Sequence, residues 1–235
     1  MIQLERTLKE ATVREYHEKG FVLVKGLVPP EKIEAIREEI KGMHERMAEN
    51  KPDGVGVTWE HRPDGEKVIR QLMGSQEVSP TLKEIYEDSP LRRAAAEILG
   101  SDIENFHSKL MMKAAGRGSF TPWHADWGYW KNTFSAPKQM NAFLAIDPST
   151  IENGCIRYVP GSHREFIEHE HNPSAHGFGI GLPGGLDAFE HEAVEMEPGD
   201  VAFHGSLTIH ASEANNSVHD RVMNTFAFTA KGTWL

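Results

Sequence analysis

The strongest constraint on the fold lies beyond Gly100. From there the chain breaks into short apolar-alternating segments at 103–114, 123–130, 139–146, 155–159, 192–196, 200–204, 207–211 and 221–230, with turn residues between them. Alternation with a period of two marks strands that rest one face on a core. Strands this short and this numerous build antiparallel sandwiches or barrels. Glu197-Pro198-Gly199-Asp200 carries proline and glycine where a type II turn requires them. Residues 165–190 interrupt the series with a Gly- and His-containing insertion that reads as a loop, not a sheet segment. Loops of that length inside compact domains are usually functional.

The first hundred residues read as mostly helical. Thr12 to Lys19 is a short helix ending at Gly20, and Phe21-Val22-Leu23-Val24 is a short apolar strand. Pro29-Pro30 opens a long helix whose buried face is Ile33, Ile36, Ile40, Met43 and Met47, spaced by threes and fours. Residues 50–66, rich in Pro, Gly and charge, read as a loop, and Lys67 to Met73 as a strand. Ser89-Pro90 starts a further helix that Gly100 ends. With no internal repeat and no clear linker, the 235 residues read as one domain over 1–235. A helical part, 1–100, packs on a jelly-roll core, 101–235. The fold class is mostly β with flanking helices.

Charge and cysteine use narrow the function. A net charge of −10 argues against a nucleic-acid surface, which needs clustered Lys and Arg. The single cysteine, Cys155, permits no intrachain disulfide and fits a reducing compartment; as a lone apolar-flanked thiol it reads as buried rather than nucleophilic. Met1 to Arg6 shows no signal pattern, and no apolar run approaches a membrane span. A soluble, cytoplasmic protein is expected.

The chemistry concentrates in Trp123-His124-Ala125-Asp126-Trp127-Gly128-Tyr129-Trp130. In an extended strand, side chains two apart share a face, so His124 and Asp126 can reach one point together. An imidazole and a carboxylate suit a divalent metal, and one more histidine would complete a two-histidine, one-carboxylate triad with open positions on iron(II). With 13 His in the chain a single His-x-Asp pair can arise by chance, so a strand histidine bonded to a neighbouring carboxylate is an alternative. The third ligand is open between His210 and His204. His163, Glu165, His169 and His171 form another constellation, able to hold zinc or simply solvated. Trp127, Tyr129 and Trp130 could line a substrate wall or pack the barrel mouth.

The order of motifs resembles the phytanoyl-CoA dioxygenase family of iron(II)- and 2-oxoglutarate-dependent oxygenases. The matching pieces are His107-Ser108-Lys109-Leu110-Met111-Met112-Lys113, Trp123-His124-Ala125-Asp126, Glu152-Asn153-Gly154-Cys155-Ile156, Val159-Pro160-Gly161-Ser162-His163, Pro198-Gly199-Asp200-Val201 and His210-Ala211-Ser212 followed by Asn216-Ser217 and Arg221. Gly20 to Val24 and the helix after it also resemble the family's opening. The resemblance implies a double-stranded β-helix, a cupin-like jelly roll closed around the metal. It implies iron ligation by His124, Asp126 and His210, with 2-oxoglutarate and O2 as cosubstrates. Arg221 would anchor the distal carboxylate of 2-oxoglutarate, where a planar fork donates two parallel hydrogen bonds. Ser212 would add a hydroxyl contact, and Lys109, Phe143 and Arg70 would line the same cosubstrate pocket. The expected reaction is hydroxylation, desaturation or cyclisation at an unactivated C–H bond of a small molecule, with CO2 and succinate released. No nucleic-acid or membrane partner is expected. The alternative is a metal-binding cupin-like lyase, isomerase or sensor without oxidation chemistry, which would have no need of Arg221 and Ser212 as a carboxylate anchor.

Overall fold

A computed structural model describes residues 7–61, 65–116, 120–172 and 179–235. The N-terminal stretch Met1 to Arg6 and residues 173–178 of the long insertion lie outside them. In chain order the elements are α1 (Glu10–Lys19), β1 (Phe21–Val24), α2 (Pro30–Ile40), α3 (Met43–Glu49), β2 (Gly56–His61), β3 (Lys67–Met73), α4 (Pro80–Glu87), α5 (Pro90–Leu99), β4 (Ile103–Lys113), β5 (Thr121–His124), α6 (Trp127–Trp130), β6 (Gln139–Ala145), β7 (Ile156–Tyr158), β8 (Glu170–His171), β9 (Ile180–Gly181), β10 (Glu192–Val194), β11 (Val201–Gly205), β12 (His210–Ser212) and β13 (Arg221–Ala230).

Two antiparallel sheets make the jelly roll. The larger has the order β1-β11-β6-β13-β4-β3-β2, and the smaller β10-β7-β12-β5. Period-two alternation divides the larger sheet between two cores. On β13, Val222, Phe226 and Phe228 point outward and pack with Ile33, Ile36, Leu82, Ile85, Leu91 and Ile98 of the helices. Met223 points inward, where Phe21, Ala145, Ile156, Tyr158 and Met196 fill the space between the sheets. Burying one such side chain contributes about 1.5–3 kcal/mol, so this double use of β13 anchors helices and barrel to the same strand.

The helix ends follow local chemistry. Ser89 Oγ accepts from Arg92 N, and Gly100 closes α5 in the left-handed conformation at φ 62°. The type II turn forms as expected, with Asp200 N bonded to Glu197 O at 3.0 Å and Gly199 at φ 93°.

Several expectations are corrected. The long helix from Pro30 is two, broken where Gly42 takes φ 65°. That turn still lets Met43 and Met47 bury with Ile33 and Ile36, while Ile40 is only half-buried. Residues 56–61, read as loop, are strand β2, paired antiparallel to β3. Val57 and Trp59 pack on the helix-side core, and their alternation is masked in sequence by the flanking Pro, Gly and charge. The helical N-terminal part thus supplies three strands to the larger sheet. Helix α4 was not expected. Ser79 caps it by accepting from Leu82 N, and its apolar face joins the same core. The insertion is not wholly loop, since β8 and β9 pair within it. The segment 123–130 is not one strand: β5 stops at His124 and α6 follows. No described helix is long and apolar enough to cross a membrane.

Candidate active site

The site forms where β5 meets β12. His210 pairs directly with His124 across these strands, and their ring centroids lie 4.1 Å apart. Asp126 arrives differently from the strand reading. Its backbone is helical (φ −58°, ψ −27°), so the turn into α6, not strand alternation, swings its carboxylate beside His124. His124, Asp126 and His210 bring one ligand atom each to within 4.8 Å of one another, and all three are buried.

The donor set fits a divalent metal in detail. His124 Nδ1 lies 2.9 Å from Pro122 O, and His210 Nδ1 lies 2.9 Å from Thr208 O. A carbonyl only accepts, so each Nδ1 carries the hydrogen and each Nε2 keeps its lone pair for the metal. Asp126 Oδ2 accepts from Asn141 Nδ2 at 2.7 Å and contacts His204 Nε2 at 3.1 Å. Its other oxygen, Oδ1, lies 3.9 Å from His124 Nε2. Burial lowers the His124 pKa to about 4 and holds that of His210 well below its usual value, so both rings are neutral ligands at neutral pH. Burial alone would raise the Asp126 carboxyl. The surrounding His210, His204 and His124 reverse that and keep it ionised.

A cavity opens from this group towards Arg221, lined by Lys109, Met111, Lys113, Thr121, Asn141, Phe143, Ile156, Ser212 and Met223 among others. Arg221 starts β13 opposite Lys113 of β4 and is only 4% exposed. One guanidinium nitrogen donates to Gly154 O at 2.5 Å and reaches Ser149 Oγ at 3.5 Å, which fixes the plane of the fork. Burial lowers the Arg221 pKa to about 10, which leaves it fully charged at neutral pH. Lys113 Nζ donates to Ser212 Oγ at 2.8 Å and also to Glu213 O. Burial first, then the charges of Arg221 and Arg70, push the Lys113 pKa well down.

Lys109, Phe143, Ser212 and Arg221 therefore share one cavity with the three candidate ligands. Arg70 does not line it. It is buried on β3, and its charge lowers the pKa of Lys109 and Lys113. Trp127, Tyr129 and Trp130 do not line it either. Trp130 turns into the barrel edge-on to Phe106, with centroids 5.3 Å apart, and Tyr129 Oη donates to Ile180 O at 2.7 Å. Both side chains are taken up by packing and by holding β9.

Sequence reasoning missed Lys113, Thr121 and Asn141 as site residues. Lys113 was detectable, since it follows Lys109 and Met111 at strand period on the same face of β4. His204 is not among the three clustered ligands but stands directly behind Asp126. The His163, Glu165, His169 and His171 constellation holds no metal-binding group among the described residues. His169 instead ties the insertion to the metal turn. Its Nε2 accepts from Ala125 N at 2.9 Å, its Nδ1 lies 3.0 Å from Ile167 O, and its ring lies across Gly128.

The sequence from 16 to 223 matches the family model for phytanoyl-CoA dioxygenase. The chain belongs to the phytanoyl-CoA dioxygenase family. Among curated members, the ectoine dioxygenase of Bordetella bronchiseptica is 26% identical over 220 residues, covering 87% of this chain and 70% of that one. The L-proline trans-4-hydroxylase of Streptomyces griseoviridis is 29% identical over 126 residues, covering 50% and 47%. The crystal structure of EctD from S. alaskensis with 2-oxoglutarate and 5-hydroxyectoine superposes with a TM-score of 0.79 at 17% identity, covering 98% of this chain and 79% of that one. This family member shares its double-stranded β-helix.

Proposed function

We propose that the chain is a non-haem iron(II)- and 2-oxoglutarate-dependent oxygenase acting on an unactivated C–H bond of a small molecule, with CO2 and succinate as coproducts. The observation that carries this is one cavity lined both by the His124, Asp126 and His210 group and by buried Arg221. Iron with 2-oxoglutarate and O2 supplies the oxygen activation. The chain holds and orients the participants. His124, Asp126 and His210 would hold the metal, with the cavity beside them for the cosubstrate. Arg221 receives the distal carboxylate of 2-oxoglutarate, with its fork already aligned by Gly154 and Ser149. Lys113 adds a second cation and holds the Ser212 hydroxyl towards the same carboxylate. Phe143 and Met223 keep the cavity wall apolar, and Lys109 contributes a cation nearer Asp126.

Membership of the family and the triad support oxygenase chemistry over a cupin-like lyase, isomerase or sensor. Arg221 and Lys113 favour it further, because a reaction without a dicarboxylate cosubstrate leaves these buried cations without an anionic ligand. The named relatives act on ectoine and proline, and the primary substrate proposed here is likewise small. A cytoplasmic location is our reading of the one free, buried Cys155. The deciding experiment incubates iron-loaded protein with 2-oxoglutarate and a metabolite extract and follows succinate. Release that needs both iron and Arg221 supports the reading. Iron-loaded protein that binds no 2-oxoglutarate and releases no succinate overturns it.

A further inference from the structure

Asp126 has two oxygens, and the protein treats them differently. Oδ2 receives Asn141 Nδ2 at 2.7 Å and His204 Nε2 at 3.1 Å, while Oδ1 lies on the His124 side. The two partners of Oδ2 are neighbours across the larger sheet, since His204 of β11 pairs with Asn141 of β6. Both are buried on every side, at 0% and 1% exposure. A carboxylate offers only lone pairs, so His204 must carry its hydrogen on Nε2. In the neutral imidazole the other nitrogen is then an acceptor. The Tyr158 hydroxyl stands 2.8 Å from His204 Nδ1 and is the donor there.

Tyr158 is itself fixed. It has no exposed surface, and Phe21 stacks on its ring at 4.4 Å with an 18° interplanar angle. Phe21 pairs with His204 in the β1–β11 register, so the sheet places the aromatic clamp beside the histidine. The order of hydrogens runs one way, from Tyr158 Oη to His204 Nδ1 and from His204 Nε2 to Asp126 Oδ2.

We propose that Tyr158 and His204 are positioning residues, a buried relay that holds Asp126 Oδ2 from behind and presents Oδ1 alone to the metal. His204 thereby has a role other than ligation. With Oδ2 occupied twice over, Asp126 would offer a metal one oxygen and leave free the position that a second would fill. The relay rests on the reading of His124, Asp126 and His210 as metal ligands, so its test measures metal binding rather than turnover.

The test titrates Co(II) into metal-free protein by calorimetry and records the visible Co(II) absorption of each complex. At position 204, glutamine can place an amide donor where Nε2 stood, and asparagine only where Nδ1 stood. His204→Gln should bind Co(II) within about threefold of wild type with an unchanged spectrum. His204→Asn should lose about 10–100-fold, the usual cost of removing a group that orients a ligand, with a shifted spectrum. Near-ultraviolet circular dichroism checks that both fold. Equal affinity and equal spectra in the two variants would overturn the relay. Should either fail to fold, Tyr158→Phe decides, because it removes only the hydroxyl that bonds His204 Nδ1 and holds the ring against Asp126. A severalfold loss of Co(II) affinity supports the relay, and wild-type affinity overturns it. A wild-type protein that binds no Co(II) would instead sink the metal-site reading itself.

Discussion

Arg221 and Lys113 pair across β13 and β4, two buried basic side chains on neighbouring strands that line the same cavity as the candidate metal ligands. Burial pushes the pKa of each down, and the Arg221 charge lowers that of Lys113 further, so holding both charged in the empty site is costly. A dicarboxylate relieves that cost on binding, which makes anion affinity the property most exposed to mutation here.

Arg221→Ala should therefore weaken 2-oxoglutarate binding at least tenfold. Breaking one side of a buried charge pair typically costs about 2–5 kcal/mol. Arg221→Lys should also bind poorly, because a point charge cannot reproduce the fork. Calorimetric titration of 2-oxoglutarate into metal-loaded protein measures both. A wild-type dissociation constant for the alanine variant would remove Arg221 from the cosubstrate site.

Lys113→Met keeps most of the apolar stem and removes the charge. Ser212 then loses the donor at 2.8 Å that orients its hydroxyl. A hydrogen bond to a charged group is worth about 1.5–3 kcal/mol, so the KM for 2-oxoglutarate should rise roughly tenfold or more while kcat stays near wild type. A fall in kcat at saturating 2-oxoglutarate would place Lys113 elsewhere in the reaction.

His124→Ala and His210→Ala each remove one of three clustered donors. Metal affinity should drop by more than the ~10–100-fold typical of groups behind the ligands, and succinate release should vanish. Iron titration in the absence of oxygen is the measurement. Full activity in either variant would dismiss the triad.

The metal-free protein should lose stability in acid through His124. Its ordinary pKa is 6.5 and burial lowers it to about 4 in the fold. Between those values the unfolded chain binds the proton and the folded one does not, so stability is complete above about pH 6.5 and is lost as pH falls towards about 4. The full loss is on the order of 3 kcal/mol at about 1.4 kcal/mol per pH unit. Urea unfolding in chelator from pH 7 to 4.5 checks the slope. His124→Asn should flatten it, and an equal slope in wild type and variant would show that His124 does not carry the effect.

What the sequence revealed and what it hid have physical causes. β4, β6, β11 and β13 are legible because their apolar runs stand clear of turn residues, with one row of side chains towards the helices and the other towards the space between the sheets. β2 has the same alternation, but Val57 and Trp59 sit among residues that favour turns, so local composition outweighs the pattern. Arg221 is legible because it heads an apolar run, and a charge there must lie at a strand end. Asp126 was legible as a partner of His124, yet for a reason that does not operate, since the chain leaves the strand between them. Lys113 was legible in spacing but not in role. Its contact with Ser212 joins residues on different sheets, and such closure is a product of the whole barrel. The same holds for His204, whose position behind Asp126 depends on β11 lying beside β6.

The His169 ring that accepts from Ala125 N also fixes the order in which this chain can change. A methyl group at Gly128 would stand 2.8 Å from that ring, and the ring cannot simply swing aside while both of its nitrogens are engaged. Gly128→Ala alone meets the clash, whereas after His169→Ala the same methyl has room. The two substitutions are therefore epistatic: glycine is obligatory at 128 only while histidine stands at 169. A variant of this chain that carries a larger residue in the turn after Asp126 should already have given up the histidine in the distant loop.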